Sequence, residues 1–212
     1  KDVVANSDII ITMLTDDNAV EKVMGSNEFM SNIKEGATVI DMSSVNPVLT
    51  IKYSKKLKEK KIDYLDAPVS GGTVGAEEAT LAIMIGGDEE TFKNCYKLLK
   101  KMGNPTLVGP VSSGQISKLA NQIIVGVTIG AVAEAVTLCE KSGTNPSRMI
   151  EALLVGWAES KILQTHGKRM ISKDFLPKGK TTTQLKDMTN IINAGKAVET
   201  HLPISSLIKE MY

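Results

Sequence analysis

Aromatic side chains are scarce in this sequence of 212 residues: three Phe, four Tyr and one Trp, 4% in all. So sparse a set offers no stacking platform for unpaired bases. Net charge is nearly absent too, since 25 Lys and Arg meet 24 Asp and Glu and leave a formal +1. A phosphate backbone finds no basic field here, so no nucleic acid is expected as a partner. Cysteine is limited to Cys95 and Cys139, with no CxxC pair and no histidine-rich neighbourhood. Two such residues exclude a disulfide framework and suit buried free thiols in the cytoplasm. The two histidines, His166 and His201, stand at no metal or triad spacing, so no metal is expected. No signal peptide is visible, and no apolar run reaches the roughly 18 residues that a bilayer span needs, so no membrane is expected. The longest apolar stretch, Ile123 to Val136, is interrupted by Glu134 and reads as a buried helix. Trp157 and the ten methionines read as packing material.

What is present is the balance of a globular protein, 42% apolar and 23% charged, long enough for one or two domains. The first half alternates strands with helices. Asp8 to Leu14 is a continuous β-rich run suited to burial on both faces, and Asp16 to Met30 reads as a helix. Gly36 to Met42 is a second strand, and a helix with Pro47 near its start runs to Lys61. Strands follow at Ile62 to Val69 and Leu81 to Ile85, then a helix capped by Asp88, then a short strand at Thr106 to Val108. This rhythm predicts an α/β fold with a mostly parallel sheet covered by helices. From Gly114 to about Ser142 apolar and small residues recur at helical spacing, with Gly143 as the stop. Further helical patterns cover Pro146–Val155, Ser160–Ile171, Thr182–Glu199 and Pro203–Met211. The expected domains are therefore 1–113, α/β, and 114–212, all-α and opened by a long helix. Its wide apolar face suits pairing with a second copy.

Two segments carry chemistry. At Asp66-Ala67-Pro68-Val69-Ser70-Gly71-Gly72 a strand ends in a hydroxyl and two residues without Cβ atoms. Bare N–H groups there, with the Ser70 hydroxyl, can cradle a carboxylate; a tight turn leaving a strand is the plain alternative. Ser70-Gly71-Gly72-Thr73-Val74-Gly75 is one substitution from GxGxxG, yet an apolar strand follows it within a few residues, so it is not a dinucleotide fingerprint. In the second segment Gly114, Lys118, Asn121 and Gln122 share one face of the long helix. Lys118, among Ile116, Leu119, Ala120, Ile123 and Ile124, is expected to be partly desolvated and able to lend a proton, with Asn121 holding it and a substrate oxygen. The plain alternative is a lysine whose stem packs and whose head meets solvent. Lys186-Asp187, after Thr181-Thr182-Thr183, reads by itself as an exposed ion pair or a capping arrangement.

Jointly these segments resemble the β-hydroxyacid dehydrogenase family, over the whole chain. The DAPVSGG run at Asp66–Gly72 is similar to its substrate-binding segment, and GxxxKxxN at Gly114–Asn121 to its catalytic segment. Lys118 to Gln122, Glu134 to Leu138 and Leu202-Pro203-Ile204 look closer to the 2-hydroxy-3-oxopropionate reductase branch than to the 3-hydroxyisobutyrate branch. The resemblance implies hydride exchange between NAD or NADP and a small carboxylated substrate. Lys118 would be the general acid, Ser70, Gly71 and Gly72 would bind the carboxylate, and Asn121 would orient substrate and Lys118. Leu14, Thr15, Asn18, Ser44 and Lys186 would contact the cofactor, in a cleft between domains, within a homo-dimer or tetramer. Family members open with a strand, a GxGxMG turn and a helix; this chain begins after them, so it reads as N-terminally truncated, the remnant of a Rossmann-type sheet lacking its first βαβ unit. Where the family has Asp-Phe-x-Pro-Gly-Phe, this chain has Asp174-Phe175-Leu176-Pro177-Lys178-Gly179-Lys180. The competing readings are 3-hydroxyisobutyrate dehydrogenase or succinic semialdehyde/glyoxylate reductase-type activity, and a non-catalytic oligomerising relative. The presence of Lys118 argues against the last. A reductase of small aldehydes or imines would not need the cradle at Ser70–Gly72.

Overall fold

Alternation of side chains across a pleated strand decides which residues meet which helices, and it does so most fully at the centre of the first half. A computed structural model describes residues 2–177 and 179–212; Lys178, in the segment that departs from the family pattern, lies outside the described residues. The chain divides into two compact units, Lys1–Leu119 and Ala120–Tyr212. The first holds a six-stranded sheet in the order β1 (Ile9–Thr12), β2 (Thr38–Asp41), β3 (Asp63–Asp66), β5 (Leu81–Gly87) and β4 (Val69–Ser70), with β6 (Gly103–Gly109) also paired to β5. Val39 and Tyr64 point to one side and pack with Val20, Leu49 and Leu57. Their neighbours Ile40 and Leu65 point to the other and pack with Ile83, Ile85 and Leu99. Of these partners Val20 comes from α2 (Asp17–Met24), Leu49 and Leu57 from α4 (Pro47–Lys58) and Leu99 from α6 (Glu89–Leu99), while Ile83 and Ile85 belong to β5. Shorter helices are α1 (Asp2–Ala5), α3 (Asn27–Asn32) and α5 (Gly72–Glu77).

The α/β architecture agrees with the sequence reading, and the differences have physical causes. The sheet is mixed: β1, β2 and β3 run parallel, as do β5 and β6, but β5 meets β3 and β4 antiparallel. The expected strand Ile62–Val69 is split into β3 and β4 at Ala67-Pro68, because Pro68 has no N–H for the ladder; its carbonyl still accepts from Met84 N at 3.0 Å. β1 is not buried on both faces. Ile10 and Thr12 are buried, while Ile9 and Ile11 are 37% and 40% exposed. The expected helix Asp16–Met30 is interrupted at Gly25-Ser26, where the Ser26 hydroxyl accepts from Phe29 N at 3.1 Å and starts α3 afresh. β6 is longer than expected and includes Pro105, tolerated because β6 pairs on one edge only.

The second unit is helical throughout its regular structure. α7 (Ser113–Lys141) begins in the first unit and supplies most of its length to the second. It is followed by α8 (Pro146–Leu153), a π-helical turn at Leu163–Gly167, α9 (Lys168–Ile171), α10 (Thr181–Ala197) and α11 (Pro203–Met211). Gly143 at φ +73° follows the end of α7, as its sequence position suggested. Within this unit Gly126 and Gly130 make room on α7: a Cβ at Gly126 would sit 3.2 Å from Met188 Sδ, and one at Gly130 would sit 2.7 Å from Ile208 Cδ1. Val132, Val136, Ile150 and Leu163 form the core of its other half.

Two expectations are corrected here. Ile123–Val136 is buried only in part: Val132 and Val136 are buried, but only 22% of the most apolar window of α7 is, and Ile124 is 67% exposed. By length and composition alone α7 is also long and apolar enough to cross a membrane, a test that Glu134 does not defeat. Trp157 is fully exposed on the turn after α8 and packs no core. Leu57, by contrast, has no exposed surface at all. Leu57→Ala should lower the unfolding free energy by about 2–5 kcal/mol, read as a shift of the urea midpoint; a change below about 1 kcal/mol would show that the α4–sheet contact is looser than described.

Candidate active site

Parallel strands leave their last residues at one edge, where loops rather than ladders must satisfy the backbone. Beyond β1 and β2 this is done by one buried carboxylate. Asp41 Oδ1 accepts from Thr12 Oγ1 at 2.9 Å and from Ser43 N at 3.1 Å, and the Tyr64 hydroxyl lies 3.5 Å from Oδ2. Burial raises the Asp41 carboxyl above its usual range against those hydrogen bonds. The Ser43 hydroxyl then accepts from Leu14 N at 2.9 Å, tying the two strand-end loops together. Leu14 and Ser44 are half-buried there, and Thr15 and Asn18 are exposed at the approach to α2. The four residues implied as cofactor contacts in this unit thus gather at the carboxyl ends of β1 and β2, the edge at which parallel sheets hold nucleotides.

β3 ends in a second buried carboxylate. Asp66 Oδ1 accepts from Ser112 N at 2.7 Å and Oδ2 from Gln115 N at 2.9 Å, so the first turn of α7 is capped from the sheet. The Gln115 side chain is buried as well, its Oε1 accepting from Val45 N at 3.1 Å and its Nε2 donating to Ser43 O at 2.8 Å. Neither residue was assigned a role from the sequence. Both lie inside the two segments singled out, but polarity alone did not show that they face inward. Lys118 is half-buried on the next turn of α7, three residues beyond Gln115. Ser70 closes β4 half-buried, and Gly71 and Gly72 are exposed at φ +139° and +64°, a turn that residues with a Cβ adopt only under strain. A Cβ at Gly72 would meet nothing within 4 Å, so its backbone is open to approach. The SGGTVG run opens only the six-residue α5 before β5, in keeping with its rejection as a dinucleotide fingerprint.

In the second unit Asn121 and Lys186 are joined through side chains that the sequence did not single out together. Asn121 Nδ2 donates to Gln122 Oε1 at 2.7 Å, and Gln122 Nε2 donates to Asp187 Oδ2 at 2.7 Å and to Gln184 Oε1 at 3.3 Å. The Lys186 ammonium is 3.4 Å from Asp187 Oδ1. Asp187 is only 6% exposed, so Lys186-Asp187 is not the exposed ion pair that its polar surroundings suggested. The carboxylate turns inward because the helix face it shares with Met188 and Ile191 is the packed one. Among the described residues no three His, Cys, Asp or Glu side chains converge to hold a metal ion.

Residues 1–111 match the family described as the NAD binding domain of 6-phosphogluconate dehydrogenase, and residues 112–212 that described as the NAD-binding of NADP-dependent 3-hydroxyisobutyrate dehydrogenase. The 2-hydroxy-3-oxopropionate reductase of Escherichia coli (strain K12) is 43% identical over 208 residues, 97% of this chain and 71% of that protein. The 2-(hydroxymethyl)glutarate dehydrogenase of Eubacterium barkeri is 37% identical over 213 residues, 99% of this chain and 71% of that one. The solved 3-hydroxyisobutyrate dehydrogenase of Mycobacterium tuberculosis superposes with a TM-score of 0.90 at 27% identity, over 100% of this chain and 75% of that one. A mixed α/β sheet with this helical partner and these matches define an oxidoreductase that uses NAD or NADP. Within that class the chain belongs to the β-hydroxyacid dehydrogenase family, the NAD(P)-dependent hydroxyacid dehydrogenases.

Burial pushes the Asp66 carboxyl up to about 6, against the Ser112 and Gln115 amides that favour its charge. The unfolded chain releases that proton near 3.8, so the folded state binds more protons between the two values. Stability from this group is therefore highest at low pH and falls as pH rises through about 4 to 6, by roughly 3 kcal/mol at most. Asp66→Asn should remove that slope: the wild type's stability relative to the variant shrinks across this window in urea titrations and is level above it. Parallel curves for the two proteins would refute the assignment.

Proposed function

We propose that the protein interconverts 2-hydroxy-3-oxopropionate and its hydroxy acid, with a nicotinamide as redox partner. The observation that carries this reading is Lys118 on the first turns of α7, within a chain 43% identical to a 2-hydroxy-3-oxopropionate reductase. The cofactor supplies or accepts the hydride. Leu14, Thr15, Asn18 and Ser44, at the carboxyl ends of β1 and β2, would hold it, with Lys186 as a further contact; the glycine-rich phosphate turn of the family is not among these 212 residues. In reduction the Lys118 ammonium donates a proton from Nζ to the carbonyl oxygen and is left as the neutral amine; in oxidation it takes the alcohol proton. The amides of Gly71 and Gly72 and the Ser70 hydroxyl hold the substrate carboxylate, a role supported by the open backbone at Gly72. Asn121, one turn along α7, orients the oxygen that Lys118 protonates, and its own amide is fixed by Gln122.

The protein works in the cytoplasm as a dimer or tetramer of this chain, a second copy covering apolar α7 residues such as Ile124 and Leu138. Light scattering of the purified protein tests this, and a monomer at micromolar concentration would refute it. For the reaction, a spectrophotometric panel on the complete protein as its gene encodes it should show the highest kcat/KM with 2-hydroxy-3-oxopropionate. Methylmalonate semialdehyde, succinic semialdehyde and glyoxylate should be poorer, each tried with NADH and NADPH. Lys118→Ala should cut turnover at least ~100-fold while the fold is kept, as judged by circular dichroism. Turnover within a few-fold of wild type would remove Lys118 from the chemistry.

A further inference from the structure

We propose that Asp66 is a positioning residue: its carboxylate clamps the first turn of α7 to the end of β3 and thereby sets where Lys118 stands. This rests on the reading of Lys118 as the proton donor. The two amides that Asp66 accepts from are those of Ser112, just before α7, and Gln115, its third residue. In a capping box the same two amides are satisfied by the helix's own side chains; here one carboxylate serves both, from 46 and 49 positions away in sequence. It does so at the end of the helix where the dipole favours an anion.

The surroundings leave the clamp no slack. A Cβ at Gly114 would come within 2.7 Å of Asp66 O and 2.8 Å of its Oδ2, and one at Gly86 within 2.8 Å of Gly114 N. Ser112 takes φ +81° to aim its amide, a conformation that a serine adopts at a cost. The buried Gln115 side chain pins the same turn to Ser43 and Val45. Lys118 follows Gly114 by four residues and Gln115 by three, so it lies on the clamped face one turn, about 5.4 Å, further along. A turn freed from Asp66 can fray, and misplacing a proton donor by about 1 Å can cost on the order of 100-fold in rate.

The test compares Asp66→Asn with Leu57→Ala, a destabilised core variant on α4 that makes no hydrogen bond to α7 through its side chain, in the complete protein. Asp66→Asn should lower kcat about 10- to 100-fold while KM for the nicotinamide stays within about threefold. Acetylation of Lys118 by acetic anhydride, measured by mass spectrometry relative to Lys97, should rise about threefold or more as the turn opens. Leu57→Ala should keep both kcat and Lys118 labelling within about twofold of wild type. A folded Asp66→Asn with unchanged kcat and labelling overturns the proposal, and so does an equal effect of the two variants, which would mean a merely structural role. If the wild type turns over no substrate of the panel, the functional reading fails, while the labelling ratio still decides the clamp. Should Asp66→Asn not fold, native-state hydrogen exchange of the wild type decides. Ser112 and Gln115 amides protected as strongly as those of Ile40 and Leu65 support the clamp, and exchange at loop rates overturns it.

Discussion

A buried carboxylate can be kept only where donors converge on it, and that constraint organises the end of the sheet. Asp41 and Asp66 occupy equivalent places, paired across β2 and β3. Asp41 is met by hydroxyls of the neighbouring strands and an amide of its own loop, and Asp66 by two amides from 46 and 49 positions away in sequence. Asp41 gathers Thr12, Ser43 and, through Ser43, Leu14. Asp66 gathers the entry to α7. The loops beyond β1, β2 and β3 are thus held from beneath by these two side chains, and Gln115 stitches the two clusters together through Ser43 and Val45.

How far this was legible in the residues depended on which signal was local. Strand runs, N-caps and helix stops are properties of neighbours in sequence, so β2, α4, α6 and the end of α7 at Gly143 were readable. The break at Pro68 was readable in principle, since a missing N–H is a local fact, but the apolar run on either side outweighed it. Burial is different: it is decided by what lies across space. Ile9 and Ile11 carry the same side chain as Ile10 and differ only in which face the sheet leaves covered. Trp157, the largest apolar residue, stands in solvent for the same reason.

The site divides in the same way. Lys118, Ser70, Gly71, Gly72 and Asn121 were visible as types at a spacing, supported by resemblance. Asp66, Gln115 and Asp187 were not, because an acidic residue or an amide in sequence looks alike whether it meets water or caps a buried helix. Asp187 is the plainest case. Preceded by Lys186 in a polar stretch it looks like half of a surface pair, yet it sits on the buried face of α10 and accepts from Gln122. Kinship establishes the reaction class, which no single side chain could give.

Ser112 is the smallest part of this arrangement and has the widest bearing. A left-handed serine at φ +81° is worth about 1–2 kcal/mol less than the same residue in a relaxed turn. Glycine would remove that torsional penalty, yet it would also widen the set of directions in which the chain can leave β6 for α7. A side chain at this corner narrows the exit angle, so the molecule accepts a little less cohesion and obtains a straighter aim. Engineering for heat resistance that relaxes such a corner would be expected to blur the helix's bearing before it loosened the core.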